Sequence, residues 1–257
     1  MEFLSLILDY SFQSLVKNWK AVAVYTLFLI FLTLLSFFHP VSIVSNFLLQ
    51  LLGIQIMVYY GTPILKGVSK DELYSFIESS TVKKVFSERF ETSAGIFLSS
   101  FIINSLLVVF LLIVIVLSGI PIGSVENLSE IQLVNLLLKL FFVFMLVILV
   151  ISWYLYLYPL AFGYAMNKEG FGEAFLSFFK ILSPSLWKRA LSFKYFTFIA
   201  VSGLLGTIFL LVGLVLTVSI VFIPVGAPFL YFTNVFFGGV AAKAYLIAFK
   251  GELQNQS

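Results

Sequence analysis

Polar side chains inside otherwise apolar stretches are the first candidates for chemistry in this sequence. Asn46, Gln50, Gly53, Met57 and Gly61 recur along one apolar run at spacings of three or four residues. Such a stripe lies on one face of a helix. It indicates either hydrogen bonds between packed helices or a polar path for a neutral or zwitterionic solute. The predicted bundle interior, or solute path, comprises Asn46, Gln50, Asn104, Asn234 and Lys243.

Lys243 is the charged member of this set. It lies seven residues before Lys250, which places it about 10 Å deeper along a helix. Its long side chain can extend back to bind lipid phosphate, or it can meet a substrate anion or a hydrogen-bond acceptor inside the protein. The sequence favours lipid binding for this lysine and helix packing for the amides.

A second kind of binding chemistry is predicted where Trp187, Lys188 and Arg189 follow one another in a polar connection. An indole ring favours the depth of the lipid headgroups, and neighbouring cations attract anionic lipid. These three residues are therefore predicted to contact anionic lipid or an acidic partner. The alternative is that their charges only orient the chain in the membrane.

The residues that most enzymes need are scarce. His39 is the single histidine, the chain has no cysteine, and no acidic residue lies in the core of an apolar run. A metal site would need carboxylates alone, and no serine lies in a nucleophile elbow with a histidine to activate it. The sequence predicts a protein that is not an enzyme and uses no metal or other cofactor.

The elements that position these residues must be membrane helices. Hydrophobic residues make up 61% of the 257 residues and charged residues 11%, and the mean hydropathy is +1.11, far above that of soluble domains. The net charge of +3 does not indicate nucleic acid, because the lysines and arginines flank apolar runs, where membrane topology explains them. We predict an integral membrane protein with no nucleic-acid partner.

Six apolar runs are long enough to cross a bilayer, which requires about 20 residues. They are predicted over residues 21–38, 41–64, 93–119, 140–166, 195–223 and 229–249. The connections 39–40 and 224–228 carry no lysine or arginine, and the charged residues of 120–132 are Glu126 and Glu130. Basic residues flank the opposite ends of the runs and remain in the cytoplasm during insertion. This pattern predicts a multi-pass protein of the cell membrane with both termini in the cytoplasm.

A similar segment precedes each of the three predicted hairpins. It reads YSFQSLVK from Tyr10, YSFIESSTVKK from Tyr74 and, more loosely, LSFFKILSPSLWKR from Leu176. Polar and apolar residues have helical spacing in the first copy, as in a helix at a membrane surface. We predict an all-α protein of six transmembrane helices in three hairpins, with cytoplasmic amphipathic in-plane helices. It forms one membrane domain with units at about 1–67, 68–170 and 171–257, and both duplication and chance similarity remain open as explanations.

Two local patterns refine this prediction. Ser69 and Glu72 have the spacing of a capping box at the start of a helix. Small residues four positions apart favour close helix contacts, and they occur at Ser202 and Gly206, at Gly213 and Thr217, and at Gly238 and Ala242.

The order of these features resembles known membrane proteins. Lys17-Asn18-Trp19-Lys20 precedes the first hairpin, Tyr158-Pro159 leads to Gly163, and Gly172-Glu173-Ala174-Phe175 is followed by Leu186-Trp187-Lys188. This pattern is similar to uncharacterised six-helix prokaryotic membrane proteins and to the membrane-anchor domain of some glycerophosphodiester phosphodiesterases. The resemblance implies a six-helix membrane fold and no catalytic motif, because the phosphodiesterase barrel has no counterpart here.

Together these features predict a non-enzymatic scaffold, assembly or membrane-organising subunit. Its expected partners are membrane lipids, anionic at the cytoplasmic face, and a membrane-protein partner or a second copy of the chain. The alternative is a permease or channel-like transporter of a small uncharged or lipidic solute. A water-filled cavity lined by Asn46, Gln50 and Asn234 would favour transport, whereas a dry, packed bundle would favour the scaffold.

Overall fold

The protein is a bundle of α-helices. The structure is a computed structural model that describes residues 2–38, 41–119, 130–217 and 222–253. These residues form eleven α-helices and one 3-10 helix without a β-strand, which confirms the all-α prediction. Six of the helices are long and apolar enough to cross a membrane. The chain is therefore a multi-pass membrane protein.

The six long helices follow one another in three pairs. They are α2 (Trp19–Ser36) and α3 (Val41–Lys66), α6 (Phe90–Leu117) and α7 (Glu130–Met166), and α10 (Phe193–Thr217) and α11 (Ile223–Leu253). Shorter helices precede each pair: α1 (Glu2–Lys17), then α4 (Lys70–Ser79) and α5 (Val82–Ser87), then α8 (Phe171–Phe178), the 3-10 helix Phe179–Leu182 and α9 (Pro184–Ala190). The end of the bundle that carries these short helices and most of the lysines is the lysine-rich end.

Two helices extend beyond the predicted apolar runs. The helix α7 begins at Glu130, ten residues before the run predicted over 140–166, and the predicted turn 224–228 is wrong because α11 begins at Ile223 and includes these residues. Pro224 lies in the first turn of α11, where a backbone N–H would have no partner within the helix in any case. The predicted connection at 39–40 and residues 120–129, including His39 and Glu126, lie outside the described residues.

The helix α11 is the centre of the bundle and packs against α1, α2, α3, α7 and α10. A Cβ atom on Gly238 would lie 2.3 Å from the carbonyl oxygen of Met57, and one on Gly61 would lie 2.7 Å from the carbonyl oxygen of Gly238. Backbones cross this closely where side chains are very small. The predicted close contact at Gly238 is therefore confirmed, and Gly206 and Gly213 of α10 likewise lie against α11.

The first two copies of the repeated segment pack against each other at the lysine-rich end. Lys17 of α1 forms an ion pair with Glu78 of α4 at 2.7 Å, and Asp9 of α1 lies 3.6 Å from Lys70 of α4. Tyr74 also donates a hydrogen bond to Asp9. This hydrogen bond, with the nearby charge of Lys70, holds the pKa of the Asp9 carboxyl below its usual value. The contact fixes α4 beside α1.

The helix α1 is built into the core, which differs from the prediction of a helix resting on the membrane surface. Its fully buried side chains are Ile7, Tyr10, Ser11 and Ser14, whereas Phe12 is 55% exposed. The hydroxyl groups of Ser11 and Ser14 donate to backbone carbonyl oxygens of α1 itself. Because these bonds satisfy them, the two serines are buried without the penalty of an unpaired polar group.

The outer parts of α6 and α7 are the least covered part of the described chain. No side chain of α6 after Ile103 is buried, and none of the described side chains of α7 before Leu157 is buried. Both stretches are predominantly apolar. In a bilayer they would therefore contact lipid or another membrane protein.

Candidate functional site

An open cavity of about 820 Å³ lies at the lysine-rich end, where the membrane helices begin and end. Its walls come from the end of α3, the start of α6, parts of α4 and α5, and the turn between α7 and α8. This space is the interfacial cavity. Its charged lining residues are Lys66, Glu72, Glu88, Arg89, Glu91 and Glu169.

Arg89 joins the start of α6 to the end of α7. Its backbone φ is 62°, a left-handed conformation that side chains other than glycine rarely adopt. Its guanidinium donates hydrogen bonds to the carbonyl oxygens of Met166 and Lys168. A cation is favoured there, because the last carbonyl groups of a helix lack partners within the helix and carry partial negative charge.

Two features of the surroundings of Arg89 shift the pKa of its guanidinium in opposite directions. Burial lowers the pKa of its guanidinium, whereas the charges of Glu169 and Glu88 raise it. Arginine remains protonated under such conditions because its ordinary pKa lies above about 12. Arg89 is therefore a fixed positive charge in the wall of the interfacial cavity.

Gln55 holds the link between α5 and α6 from within the bundle. Its side chain is 1% exposed, and its amide nitrogen donates to the carbonyl oxygens of Val85 and Glu88, both at 2.8 Å. These bonds tie the link to α3. Because Glu88 and Arg89 belong to this link, Gln55 positions two charged groups of the interfacial cavity without lining that cavity itself.

Acidic side chains outnumber basic ones in the wall. Glu72 accepts a hydrogen bond from the backbone N–H of Ser69, and the Ser69 hydroxyl accepts one from the backbone N–H of Glu72. This confirms the predicted capping box, and the bonds from Ser69 lower the pKa of the Glu72 carboxyl. Among the described residues, the ion pairs Lys17–Glu78 and Lys70–Asp9 include no carboxylate of the interfacial cavity. The wall therefore carries an excess of negative charge.

A smaller apolar cavity of about 240 Å³ lies between α2 and α3 and is the apolar slot. Phe86 and Phe90 line both the apolar slot and the interfacial cavity, so the two spaces meet at these rings. The rest of its lining is Phe28, Phe31, Leu32, Leu48, Leu51, Leu52 and Gln55. Phe28, Phe31 and Leu48 are exposed on the outside of the bundle. A polar compartment thus adjoins an apolar one that reaches the outer surface of the bundle.

A cluster of tyrosines fills the space between α1, α2, α3 and α11. The Asn18 amide donates to the Tyr60 hydroxyl at 2.7 Å, and the Tyr231 hydroxyl donates to the same oxygen at 2.8 Å. The rings of Tyr25 and Tyr231 meet edge to face with their centroids 5.7 Å apart. This part of the bundle is packed with aromatic side chains and their hydrogen bonds.

Asn46 and Gln50 do not lie in the bundle interior. Both are exposed on the outer half of α3. Gly53 lies further along the same stripe and packs against α11, where an added Cβ would lie 3.3 Å from the Asn234 amide oxygen. The prediction of an interior position is therefore wrong for Asn46 and Gln50. A period identifies a face of a helix, but it does not show how far the neighbouring helix covers that face.

The other predicted interior residues lie at separate contacts. The Asn104 amide oxygen accepts a hydrogen bond from Tyr154 at 2.7 Å, which joins α6 to α7. The Asn234 amide lies 3.5 Å from the Tyr25 hydroxyl, and the Lys243 ammonium lies 3.7 Å from the centroid of the Phe3 ring. These contacts connect different pairs of helices. The structure does not bring the predicted residues together in one site.

Trp187, Lys188 and Arg189 have three different surroundings on α9. The Trp187 indole N–H donates to the carbonyl oxygen of Ile181 at 2.6 Å. The Arg189 guanidinium carbon lies 4.3 Å from the centroid of the Phe249 ring, while Lys188 is exposed. Trp187 and Arg189 therefore contact the protein itself, and a lipid contact for the three residues stays a prediction.

The predicted site did not include Arg89, Glu88 or Gln55. Arg89 resembles any basic residue before an apolar run, and Gln55 resembles Gln50 in chemistry and surroundings along the chain. A weak signal was available in the change of helical face: Gln55 lies off the stripe that contains Gln50 and Gly53.

Comparison with known proteins adds no identity to this geometry. The chain matches no protein-family description, no curated protein and no solved structure. The class that the fold defines is a six-helix, multi-pass membrane protein.

Proposed function

We propose that this chain is a non-enzymatic, membrane-organising component of the cell membrane that holds lipid at its lysine-rich end. In this proposal both termini lie in the cytoplasm. One observation carries it: a charged cavity at the ends of the long apolar helices adjoins an apolar slot at Phe86 and Phe90. A polar space next to an apolar one fits an amphiphile, whose two parts prefer these two environments.

Charges at the lysine-rich end support the wider role in membrane organisation. Lys188 is exposed beside the buried face of α9, and each such cation near an anionic leaflet contributes about 1 kcal/mol of attraction. Anionic lipids are therefore the expected partners of the outer surface. A membrane-protein partner or a second copy of the chain would meet the uncovered outer parts of α6 and α7.

A second candidate function is the transport of a lipidic solute, because the same two cavities would also suit a transient passenger. The scaffold is favoured over transport for a structural reason. Asn46 and Gln50, which were expected to line a path, are exposed on the outer half of α3, and Asn234 contacts the packed tyrosine cluster.

The two functions are separated by reconstitution. The protein is purified in a mild detergent, its bound lipids and proteins are identified by mass spectrometry, and it is then placed in liposomes containing a fluorescent phospholipid. If the protein is a scaffold, the purified protein should retain lipid or a protein partner. In liposomes that contain it, the time course of fluorescence loss on bleaching the outer leaflet should match that of protein-free liposomes. Faster loss of inner-leaflet fluorescence would support transport instead. Failure to retain either lipid or partner would contradict the scaffold.

A further inference from the structure

We propose that the interfacial cavity binds the headgroup of an amine-bearing zwitterionic phospholipid, and that one acyl chain of this lipid lies in the apolar slot. The inference rests on the proposed function, since it takes the ligand to be a lipid. It goes further by assigning the chemical class of the headgroup and the place of the chain.

The depth of the two spaces suits a phospholipid. Lys66 is the last residue of α3 and Phe90 is the first residue of α6, so the interfacial cavity lies where headgroups lie. On α3 the interfacial cavity is lined from Tyr59 to Lys66 and the apolar slot from Leu48 to Gln55, so the slot extends from about 6 Å to about 16 Å beyond Tyr59 along the helix. The slot therefore reaches into the depth of the acyl chains, and its exposed residues Phe28 and Phe31 border them.

The charge of the interfacial cavity selects among headgroups. Its wall has four carboxylates, on Glu72, Glu88, Glu91 and Glu169, and two cations, on Lys66 and Arg89. Arg89 Nη2 donates to the carbonyl oxygens of Met166 and Lys168, whereas the buried Arg89 Nε has no hydrogen-bond partner among the described residues. A headgroup with net negative charge would meet an excess of like charge. A zwitterionic headgroup can place its phosphate near Lys66 and its positive nitrogen near the glutamates.

Hydrogen bonding distinguishes a primary amine from a quaternary one. A primary ammonium has three N–H donors, which carboxylate oxygens accept, whereas a choline nitrogen has none. In the interfacial cavity these acceptors are the carboxylates of Glu72, Glu88, Glu91 and Glu169. These acceptors favour a headgroup that can donate.

The test measures which phospholipid the protein retains. Purified protein is equilibrated with vesicles of equal parts dioleoyl phosphatidylethanolamine, phosphatidylcholine and phosphatidylglycerol, and the lipids that remain bound are quantified by mass spectrometry. We expect phosphatidylethanolamine to be enriched about tenfold over phosphatidylcholine, which is the size of effect that one charge-assisted hydrogen bond provides. Equal retention of phosphatidylethanolamine and phosphatidylcholine, or a preference for phosphatidylglycerol that persists in the Lys188→Glu variant, would overturn the headgroup assignment.

Variants locate the binding. The double substitution Glu88→Gln and Glu169→Gln removes two negative charges while keeping size, and it is expected to abolish most of the enrichment. Glu173→Gln is the matched control, because Glu173 is an exposed carboxylate of α8 that does not line the interfacial cavity. Leu52→Trp fills part of the apolar slot and should lower the total amount of lipid retained. Thermal unfolding of each variant verifies that it is folded, and a folded double variant with full enrichment would refute the site.

Two further results separate this inference from the proposed function. Retention of lipid without any preference for phosphatidylethanolamine would leave the membrane-organising role in place and refute only the headgroup class. Retention of neither lipid nor partner would refute the proposed function itself. Soluble phosphoethanolamine, which lacks acyl chains, is expected to displace the lipid poorly. Displacement at the same concentration as the intact phospholipid would show that the apolar slot does not take part.

Discussion

Replacement of Gln55 by leucine is the sharpest test of how the interfacial cavity is built. Gln55 donates from one amide nitrogen to the carbonyl oxygens of Val85 and Glu88 at 2.8 Å each. Leucine has a similar volume but no polar atom, so the substitution removes both bonds and leaves the packing volume nearly unchanged. The buried carbonyl of Val85 then loses this partner, and the carbonyl of Glu88 loses it as well.

The expected loss of stability follows from these two bonds. Hydrogen bonds between helices in membrane proteins contribute about 0.6 to 1.7 kcal/mol each. Two of them predict a decrease of about 1 to 3 kcal/mol in the free energy of unfolding for Gln55→Leu. The leucine also removes the unpaired Gln55 Oε1 from the interior, which places the expected value in the lower half of this range.

Gln50→Leu is the matched control, because it makes the same chemical change on the same helix at an exposed position. It should alter the free energy of unfolding by less than about 0.5 kcal/mol, and Asn46→Leu should do the same. The measurement is a titration of the purified protein from mild detergent into sodium dodecyl sulfate, followed by circular dichroism. If Gln50→Leu destabilised the protein as much as Gln55→Leu, the assignment of Gln55 to the buried contact would be refuted.

Three further predictions concern packing, topology and charge. Gly238→Ala should lower the free energy of unfolding by about 1 to 3 kcal/mol, because its Cβ would lie 2.3 Å from the Met57 carbonyl oxygen. Gly203→Ala is the control, because no atom lies within 4 Å of its added Cβ, and it should leave the free energy of unfolding unchanged. Equal losses for the two variants in the same titration would contradict the contact at Gly238. The chain has no cysteine, so single cysteine variants can report on which side of the membrane a residue lies. Ser79→Cys and Ser185→Cys should resist an impermeant maleimide added outside intact cells, whereas Ser118→Cys should react. The opposite labelling pattern would show that the lysine-rich end faces outward. Lys188→Glu should reduce the amount of anionic lipid retained after purification without lowering the unfolding temperature. Arg189→Glu should reduce lipid retention and also lower the unfolding temperature, because it loses the contact with Phe249. Unchanged lipid retention in Lys188→Glu would mean that Lys188 only orients the chain in the membrane.

The sequence by itself determined the class of protein and the order of its helices. Six apolar runs and the alternation of basic connections are properties of composition along the chain, and the transfer of such segments into a bilayer depends mainly on that composition. Capping is equally local. Ser69 and Glu72 are three residues apart, so their reciprocal hydrogen bonds could be predicted without knowledge of any other part of the chain.

Helix boundaries were predictable only in part. Pro224 and Pro228 indicated a turn, yet both lie within α11, since proline is tolerated in the first turn and neighbouring helices support the backbone further along. The segment before α2 was predicted to rest on the membrane, whereas α1 packs against α11 and α4. Its spacing fitted a surface helix, but the choice of buried face depended on those two partners.

Only the tertiary structure decided which polar groups are buried and where the cavities lie. Gln50 and Gln55 are the same residue type five positions apart on α3, yet Gln50 is exposed and Gln55 is bonded to the link between α5 and α6. Arg89 reaches the end of α7, 77 residues further along the chain. Burial depends on which other helix lies beside a given face and on how far that helix extends. Because these contacts join residues that are distant in sequence, periodicity and composition could not reveal them.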